Sequence, residues 1–366
     1  IMTSLAKTDV PSNANAGCVG STSASAGKAA GCAGCPNQAA CASGAGRKED
    51  PALAEVRERM GAIQHTLLVL SGKGGVGKST FSAQLAFALA ARHKGARVGL
   101  LDVDICGPSV PLMLGLTGHD VKQSGSGWSP VYVTQSRLDG DAAASLDSDS
   151  DEDETELGVM SIGFMLPSRD DAVIWRGPRK NALIKQFLTD VDWGELDYLV
   201  IDTPPGTSDE HISIAQYLRG SLNPAKDGAI VITTPQEAAM ADVRKELNFC
   251  KKVGIRVLGV VENMSGLVVP MSSAVNTAKG AEGGLSIVDA VTGDDRTDEI
   301  VRKLRAACPE LLDQCSLKLD IFKTSGPQAA GENNPESMAN AFGVPFLGKM
   351  PLDREMCAAC EGGRPL

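Results

Sequence analysis

HTLLVLSGKGGVGKSTFSAQLAFALAARHKG, residues 65–95, decides the fold. HTLLVLSG is a continuous apolar run of strand type, and STFSAQLAFALAARHKG reads as a helix ending at Gly95. Between them lies SGKGGVGKST, residues 71–80. A glycine-rich loop that follows a strand and opens a helix is the setting for phosphate binding. Glycines let backbone N–H groups approach phosphate oxygens, and the helix N-terminus adds a favourable dipole. Gly72, Gly74, Gly75, Val76, Gly77, Lys78, Ser79 and Thr80 are the candidate nucleotide contacts. Lys78 is placed to reach the β/γ-phosphates and the Ser79 hydroxyl to ligate Mg²⁺. Lys73 is a second positive charge available to phosphate.

Outward from this loop the same alternation continues. ARVGLLDVD, LGVMSIGFML, DYLVIDTPP, GAIVITTPQ, IRVLGVVENMS and VPFLGKMPLD read as further strands, and EAAMADVRKELNFCKKVG as an intervening helix. Continuous apolar strands separated by helices define an α/β fold with a mainly parallel sheet covered on both faces. In such sheets ligands sit at the carboxyl ends of the strands, where Asp102, Asp104, Asp202, Gly206 and Asn263 fall.

The chain of 366 residues is 43% hydrophobic, enough for one large or two small domains. Only 4% is aromatic, whereas Gly numbers 40, so its elements must pack closely through small residues. Of the net charge of −10, seven acids fall in DSDSDEDETE, from Asp147 to Glu156, leaving the remainder near neutral. No stripe of Lys and Arg suggests a nucleic-acid surface. No apolar run approaches the roughly 20 residues of a membrane helix. The start lacks the charged and apolar regions of a secretory signal. Residues 1–46 contain no Arg and hold Asp9 among clustered cysteines, which weighs against a mitochondrial transit peptide. In a reducing compartment the ten cysteines point to metal or redox chemistry.

Four of them lie in GCVGSTSASAGKAAGCAGCPNQAAC, residues 17–41, a stretch unable to bury an apolar core of its own. Cys18, Cys32, Cys35 and Cys41 follow C-x13-C-x2-C-x5-C. By softness and number these thiolates suit zinc or an iron–sulfur cluster equally, and spacing does not choose. Residues 1–50 are expected to be a flexible cysteine-rich extension, and 51–366 an NTPase domain opened by a helix in PALAEVRERM. Within the latter, 136–156 reads as a solvated acidic loop. Residues 267–307 read as an insertion carrying the helical pattern DEIVRKLRAAC.

GKGGVGKS resembles the deviant Walker A family, which includes the nitrogenase iron protein and the partitioning ATPases. That resemblance implies an iron-protein-like fold in which Lys73 reaches across a dimer to the partner's phosphate. It also implies that Asp104 orients the attacking water, Asp202 sits near Mg²⁺, Gly206 offers its N–H to the γ-phosphate and Asn263 reads adenine. The N-terminal cysteines, DVDICGPSVP, WSPVYV, GVMSIGFML, WRGPRKNALIKQFL, DTPPGTSDEH and ENMSG together resemble the Mrp/NBP-type scaffold NTPases of eukaryotic cytosolic iron–sulfur assembly. The match is closest to the larger scaffold, which carries the four-cysteine domain. It implies a stable four-iron, four-sulfur cluster on the N-terminal thiols and a labile one bridging two subunits through a C-terminal cysteine pair.

Here the sequence departs from its relatives, which place C-x2-C just after Asn-Met-Ser-Gly. LVVPMSS follows instead, and the next thiols are Cys308 and Cys315 in CPELLDQCSLKLDIF. A helix over the six intervening residues would separate them by about 10 Å, so a shared cluster needs a loop or a partner's geometry. Cys357-x2-Cys360 is a rival pair, while Cys106 and Cys250 read as packed or incidental thiols.

The expected function is that of an ATPase scaffold that builds clusters and hands them to apoproteins. The hydrolysis is expected to be weak and coupled to assembly or transfer. Its expected cofactors are four-iron, four-sulfur clusters, ATP and Mg²⁺. Its expected state is a homodimer or a hetero-oligomer with a smaller paralogous NTPase, without nucleic-acid or membrane partners. Downstream cluster-transfer proteins and apoproteins complete the partners, and the expected location is cytoplasmic, with the nucleus as a second site. The competing readings are an iron-protein-like electron-transfer ATPase and a MinD/ParA-like positioning ATPase.

Overall fold

The computed structural model describes residues 13–15, 17–21, 23, 25–43, 51–92, 95–105, 107–134, 138, 156–166, 177–271, 287–319 and 334–366. Cys106, the acidic run before Glu156, Trp175 and Arg176, residues 272–286 of the insertion, and Ile321 and Phe322 lie outside the described residues. The chain divides into two compact units, residues 1–55 and 56–366.

The first unit is built from turns, the short 3-10 helix Ala30–Cys32 and the helix Gln38–Ser43. Its small residues serve close backbone crossings. A side chain on Gly31 would collide with the Gly17 carbonyl, and one on Gly27 with the backbone of Ala42. Asn15 ties two turns by donating to the carbonyls of Gly31 and Ala33, at 3.3 and 3.1 Å.

The second unit is organised by strands β1 (Ile63–Ser71), β2 (Arg97–Asp102), β3 (Lys122–Ser124), β4 (Gly127–Ser129), β5 (Val131–Val133) and β6 (Glu156–Ser161). They continue with β7 (Leu196–Asp202), β8 (Gly228–Thr233), β9 (Val257–Glu262), β10 (Leu267–Pro270), β11 (Ser316–Leu319) and β12 (Phe346–Lys349). Eight form one sheet in the order β12-β9-β8-β1-β7-β2-β6-β5. All neighbours are parallel except β5, which runs antiparallel to β6.

Alternation along each strand supplies two cores. Leu68, Leu70, Leu101, Leu199 and Ile201 face helices Gly177–Thr189, Asp209–Leu218 and Glu237–Val253 through Phe187, Ile214 and Leu247. Val69, Leu100 and Val200 face helix Lys78–Ala90 through Ala83, Ala86, Phe87 and Ala90. Three alanines on one helical stripe let this helix lie close to the sheet, as the low aromatic content requires. Parallel strands buried on both faces are thus continuous apolar runs.

Two boundaries differ from the sequence reading. The helix after the glycine loop stops at Ala90 rather than Gly95: the N–H of Arg92 turns to the Leu89 carbonyl at 3.2 Å, tightening the last turn. The strand in LGVMSIGFML stops at Ser161, whose hydroxyl accepts from the N–H of Gly163 at 3.1 Å and caps a 3-10 turn over Ile162–Met165. The insertion 267–307 holds β10 and helix Thr297–Ala307; helix Pro309–Gln314 and β11 follow it, and β11 pairs with β10 in a small antiparallel ladder.

Candidate nucleotide site and thiol clusters

Strand register brings the acids together. Asp102 ends β2 and Asp202 ends β7, directly opposite one another, at the carboxyl edge of the sheet. Beside them the glycine loop leaves β1. Gly77 takes φ +80° and is the residue before helix Lys78–Ala90, with no side chain capping the helix N–H groups. A side chain there would be strained and would collide with the Asn263 amide. At the other end of the loop, a side chain on Gly72 would meet the backbone of Asp242 and Val243 at 2.5–2.6 Å.

Asp202 is the hub. Its carboxylate accepts from Lys78 Nζ at 2.7 Å, Ser79 Oγ at 2.6 Å and Ser82 Oγ at 2.7 Å. Lys78 is 6% exposed and Asp202 0%, so this is a dry ion pair. Asp102, equally buried, accepts from Ser161 Oγ at 2.9 Å and the N–H of Asp104 at 3.0 Å. Burial first, and then the neighbouring Asp202 charge, push its carboxyl up to about 8 against the pull of Lys78 and these hydrogen bonds. A cleft of about 200 Å³ opens above, lined by Lys73, Gly74, Gly75, Gly77, Lys78, Ser79, Thr80, Asp104 and Pro205, among others. Such a cleft, with backbone donors, a lysine and carboxylates, is built to receive phosphate and a divalent cation.

Two residues are engaged differently from the sequence reading. The Gly206 N–H donates to the Ser71 carbonyl at 2.8 Å, so reaching a γ-phosphate requires that bond to break. Asn263 is buried, with its amide donating to the Val76 carbonyl at 2.9 Å and its oxygen accepting from the N–H of Met264 at 2.9 Å. In this structure it braces the phosphate loop, and Met264 takes the left-handed φ of +54° beside it. Ser82 and Ser161 escaped sequence reasoning. Ser82 had a legible signal, one helical turn beyond Lys78; Ser161 had none.

Cys18, Cys32, Cys35 and Cys41 all line one small cavity of the first unit. Cys32 closes the 3-10 helix, Cys35 follows in a turn, Cys41 lies in helix Gln38–Ser43, and Cys18 Sγ accepts from the N–H of Gly20 at 3.4 Å. None of the nine described cysteines is in a disulfide. Among the described residues no three or more His, Cys, Asp or Glu side chains meet as a single metal ion would require.

In the second unit Cys308 and Cys315 flank helix Pro309–Gln314. Cys315 is exposed and its carbonyl accepts from the N–H of Met271 at 2.9 Å, so the β10–β11 ladder returns it beside the chain following Asn-Met-Ser-Gly. Cys357 and Cys360 lie on helix Arg354–Gly362; Cys357 is exposed, whereas Cys360 is buried and accepts from Gln84 Nε2 at 3.5 Å. Cys250 is a packed thiol, pushed up to about 12 by burial and by Glu246. No helix among the described residues is long and apolar enough to cross a membrane.

The sheet order, glycine loop and paired acids define a P-loop NTPase. Its match to a family model settles which kind: residues 62–293, more than half the chain, fit the ParA model, described as NUBPL iron-transfer P-loop NTPase. The chain belongs to this family. Among solved structures it is similar to a nucleotide-binding protein of Archaeoglobus fulgidus in complex with ADP. Identity is 27% over 85% of this chain and 91% of that one, with a TM-score of 0.55. The cell-division ATPase MinD of Pyrococcus furiosus matches at 20% identity over 82% and 89% of the two chains, TM-score 0.41. A ParA-family ATPase of Chlorobium tepidum matches at 14% over 83% and 90%, TM-score 0.42.

Proposed function

We propose that the chain is an ATP-dependent scaffold that assembles four-iron, four-sulfur clusters in the cytosol and passes them to apoproteins. The observation that carries this reading is the common cavity of Cys18, Cys32, Cys35 and Cys41, in a chain of an iron-transfer NTPase family. Four thiolates around one cavity suit a polynuclear iron–sulfur group or a single zinc ion, and membership of an iron-transfer family favours the former. The cavity holds about 10 Å³, room for about one water, so a cluster requires its walls to move outward. Bound there, it would supply a persistent iron–sulfur centre and organise a unit that has little apolar core.

The ADP held by the Archaeoglobus relative supports an adenine nucleotide at the glycine loop. On binding, Lys78 would exchange Asp202 for the β/γ-phosphates, and Ser79 and Asp202 would hold Mg²⁺, which would supply neutralisation of the phosphate charge. Asp104 orients the attacking water, and Lys73 serves a partner's phosphate across a dimer. Positioning and charge are most of what phosphoryl transfer needs. Hydrolysis is weak and tied to cluster loading or release. The transferable cluster is cargo on Cys308 and Cys315; a helix holds these two apart within one subunit, so a second subunit, identical or a smaller paralogue, completes the set.

Anaerobic iron reconstitution of the wild type, Cys18→Ala and Cys315→Ala, read by Mössbauer spectroscopy before and after a chelator, tests this. Cys18→Ala is expected to lose the chelator-resistant iron and Cys315→Ala the labile iron. Unchanged labile iron in Cys315→Ala would overturn the bridging assignment, and retained zinc without iron uptake would overturn the scaffold.

A further inference from the structure

Cys357 and Cys360 stand apart from the sites above, and their surroundings differ in a way that divides roles between them. Both lie on helix Arg354–Gly362, three residues apart and therefore neighbours on its surface. Cys357 is exposed and opens onto a groove shared with Leu267, Leu352 and Glu361. Its own N–H makes a long bond, 3.3 Å, to the Asp353 carbonyl in the first turn of the helix. Cys360 is 7% exposed and its sulfur accepts from Gln84 Nε2 at 3.5 Å. Burial and this fixed contact make it a poor first target for any reagent from solvent.

We infer that Cys357 and Cys360 form a redox dithiol, closing to a disulfide within one helix under a peroxide-class oxidant. Cys357 releases its thiol proton and the thiolate attacks one peroxide oxygen, breaking the O–O bond; Cys357 becomes a sulfenic acid, and the departing hydroxide takes up the released proton and leaves as water. Cys360 sulfur then attacks the Cys357 sulfur, the S–O bond breaks, and its hydroxyl departs with the Cys360 proton as a second water. Two thiols are oxidised and one peroxide is reduced. Neighbouring Cβ atoms on a helix are about 5–6 Å apart and a disulfide needs about 3.5–4.5 Å. The first turn supplies that closure by swinging Cys357 inward.

The site is connected to the nucleotide end. Gln84 stands on the helix that begins at Lys78. Its Nε2 also donates to the Arg364 carbonyl at 3.2 Å, and its Oε1 accepts from the N–H of Leu366 at 2.9 Å. Turning the Cys360 sulfur toward Cys357 takes one partner from Gln84, the side chain that holds residues 364–366 to that helix.

Trypsin releases a peptide beginning at Glu355 whose cysteines are Cys357 and Cys360, so the pair is read separately from every other thiol. The full chain is treated with hydrogen peroxide, quenched, alkylated under denaturing conditions and digested. The expected peptide is lighter than its reduced, unalkylated form by two hydrogens and carries no alkyl groups. Cys360→Ala is expected to stop at a Cys357 sulfenic acid that dimedone captures. Cys357→Ser, at an exposed position that tolerates the change, is expected to leave Cys360 fully alkylated. A peptide that stays doubly alkylated after peroxide, or wild-type peptide with dimedone on Cys357 and an alkyl group on Cys360, would overturn the inference, as would Cys357 recovered only in cross-links to another chain.

Discussion

Replacing Glu246 with glutamine isolates what one buried charge does to this fold. Glu246 lies on helix Glu237–Val253, is wholly buried, and neither carboxylate oxygen has a hydrogen-bond partner. Burial pushes its carboxyl up from 4.5 to about 8. Below 4.5 the folded and unfolded chains both carry the proton, so ionisation contributes nothing. As pH rises from 4.5 to about 8 the unfolded chain releases the proton and the folded chain keeps it, so stability falls. At about 1.4 kcal/mol per unit, the loss accumulates to at most about 5 kcal/mol. Glutamine keeps the shape without the ionisation. The variant is therefore expected to match the wild type at the acid end of this window and to exceed it by a few kcal/mol, about 2–5, at the alkaline end. Urea unfolding followed by circular dichroism across the window measures this directly, because all other titrating groups cancel in the difference. Parallel wild-type and variant curves would show that the folded carboxyl ionises normally, refuting the reasoning.

Two further outcomes follow from the nucleotide site. Gly77→Ala places a side chain at φ +80° and against the Asn263 amide. It is expected to lower stability by more than about 1 kcal/mol and to abolish nucleotide binding, measured by thermal unfolding and calorimetric titration with ADP. Asp202→Asn removes the charge that gathers Lys78, Ser79 and Ser82. Steady-state ATP hydrolysis is expected to fall by about 100-fold or more, while circular dichroism reports an intact fold.

What sequence made legible was whatever is satisfied locally. The glycine loop needs a strand behind it and a helix ahead, and residues 65–95 contain all three. Asp102 and Asp202 were readable as strand ends, because a parallel sheet brings those ends to one edge. Their partners were less accessible. Ser161 reaches Asp102 only through the β2–β6 pairing, and its other bond, from Gly163, ends the strand that apolarity alone would extend. The engagement of Asn263 with Val76 depends on a loop far away in sequence. Pairing of β10 with β11 spans the whole insertion, and no local pattern announces that it returns Cys315 to Met271. In the first unit, composition suggested a chain without structure. Gly17, Gly27 and Gly31 instead mark places where backbones cross too closely for a side chain.

The dry pair of Lys78 and Asp202 sets the terms on which the loop accepts a ligand. An anion arriving alone can draw Lys78 away only by leaving the buried Asp202 carboxylate with its serine hydroxyl donors but no counter-charge, a state costing several kcal/mol. A ligand that brings its own cation replaces both partners in a single exchange. Inorganic phosphate is thereby disfavoured relative to a metal-complexed nucleotide, although both offer the loop the same oxygens. The metal and nucleotide affinities become thermodynamically linked, each raising the other by the same factor.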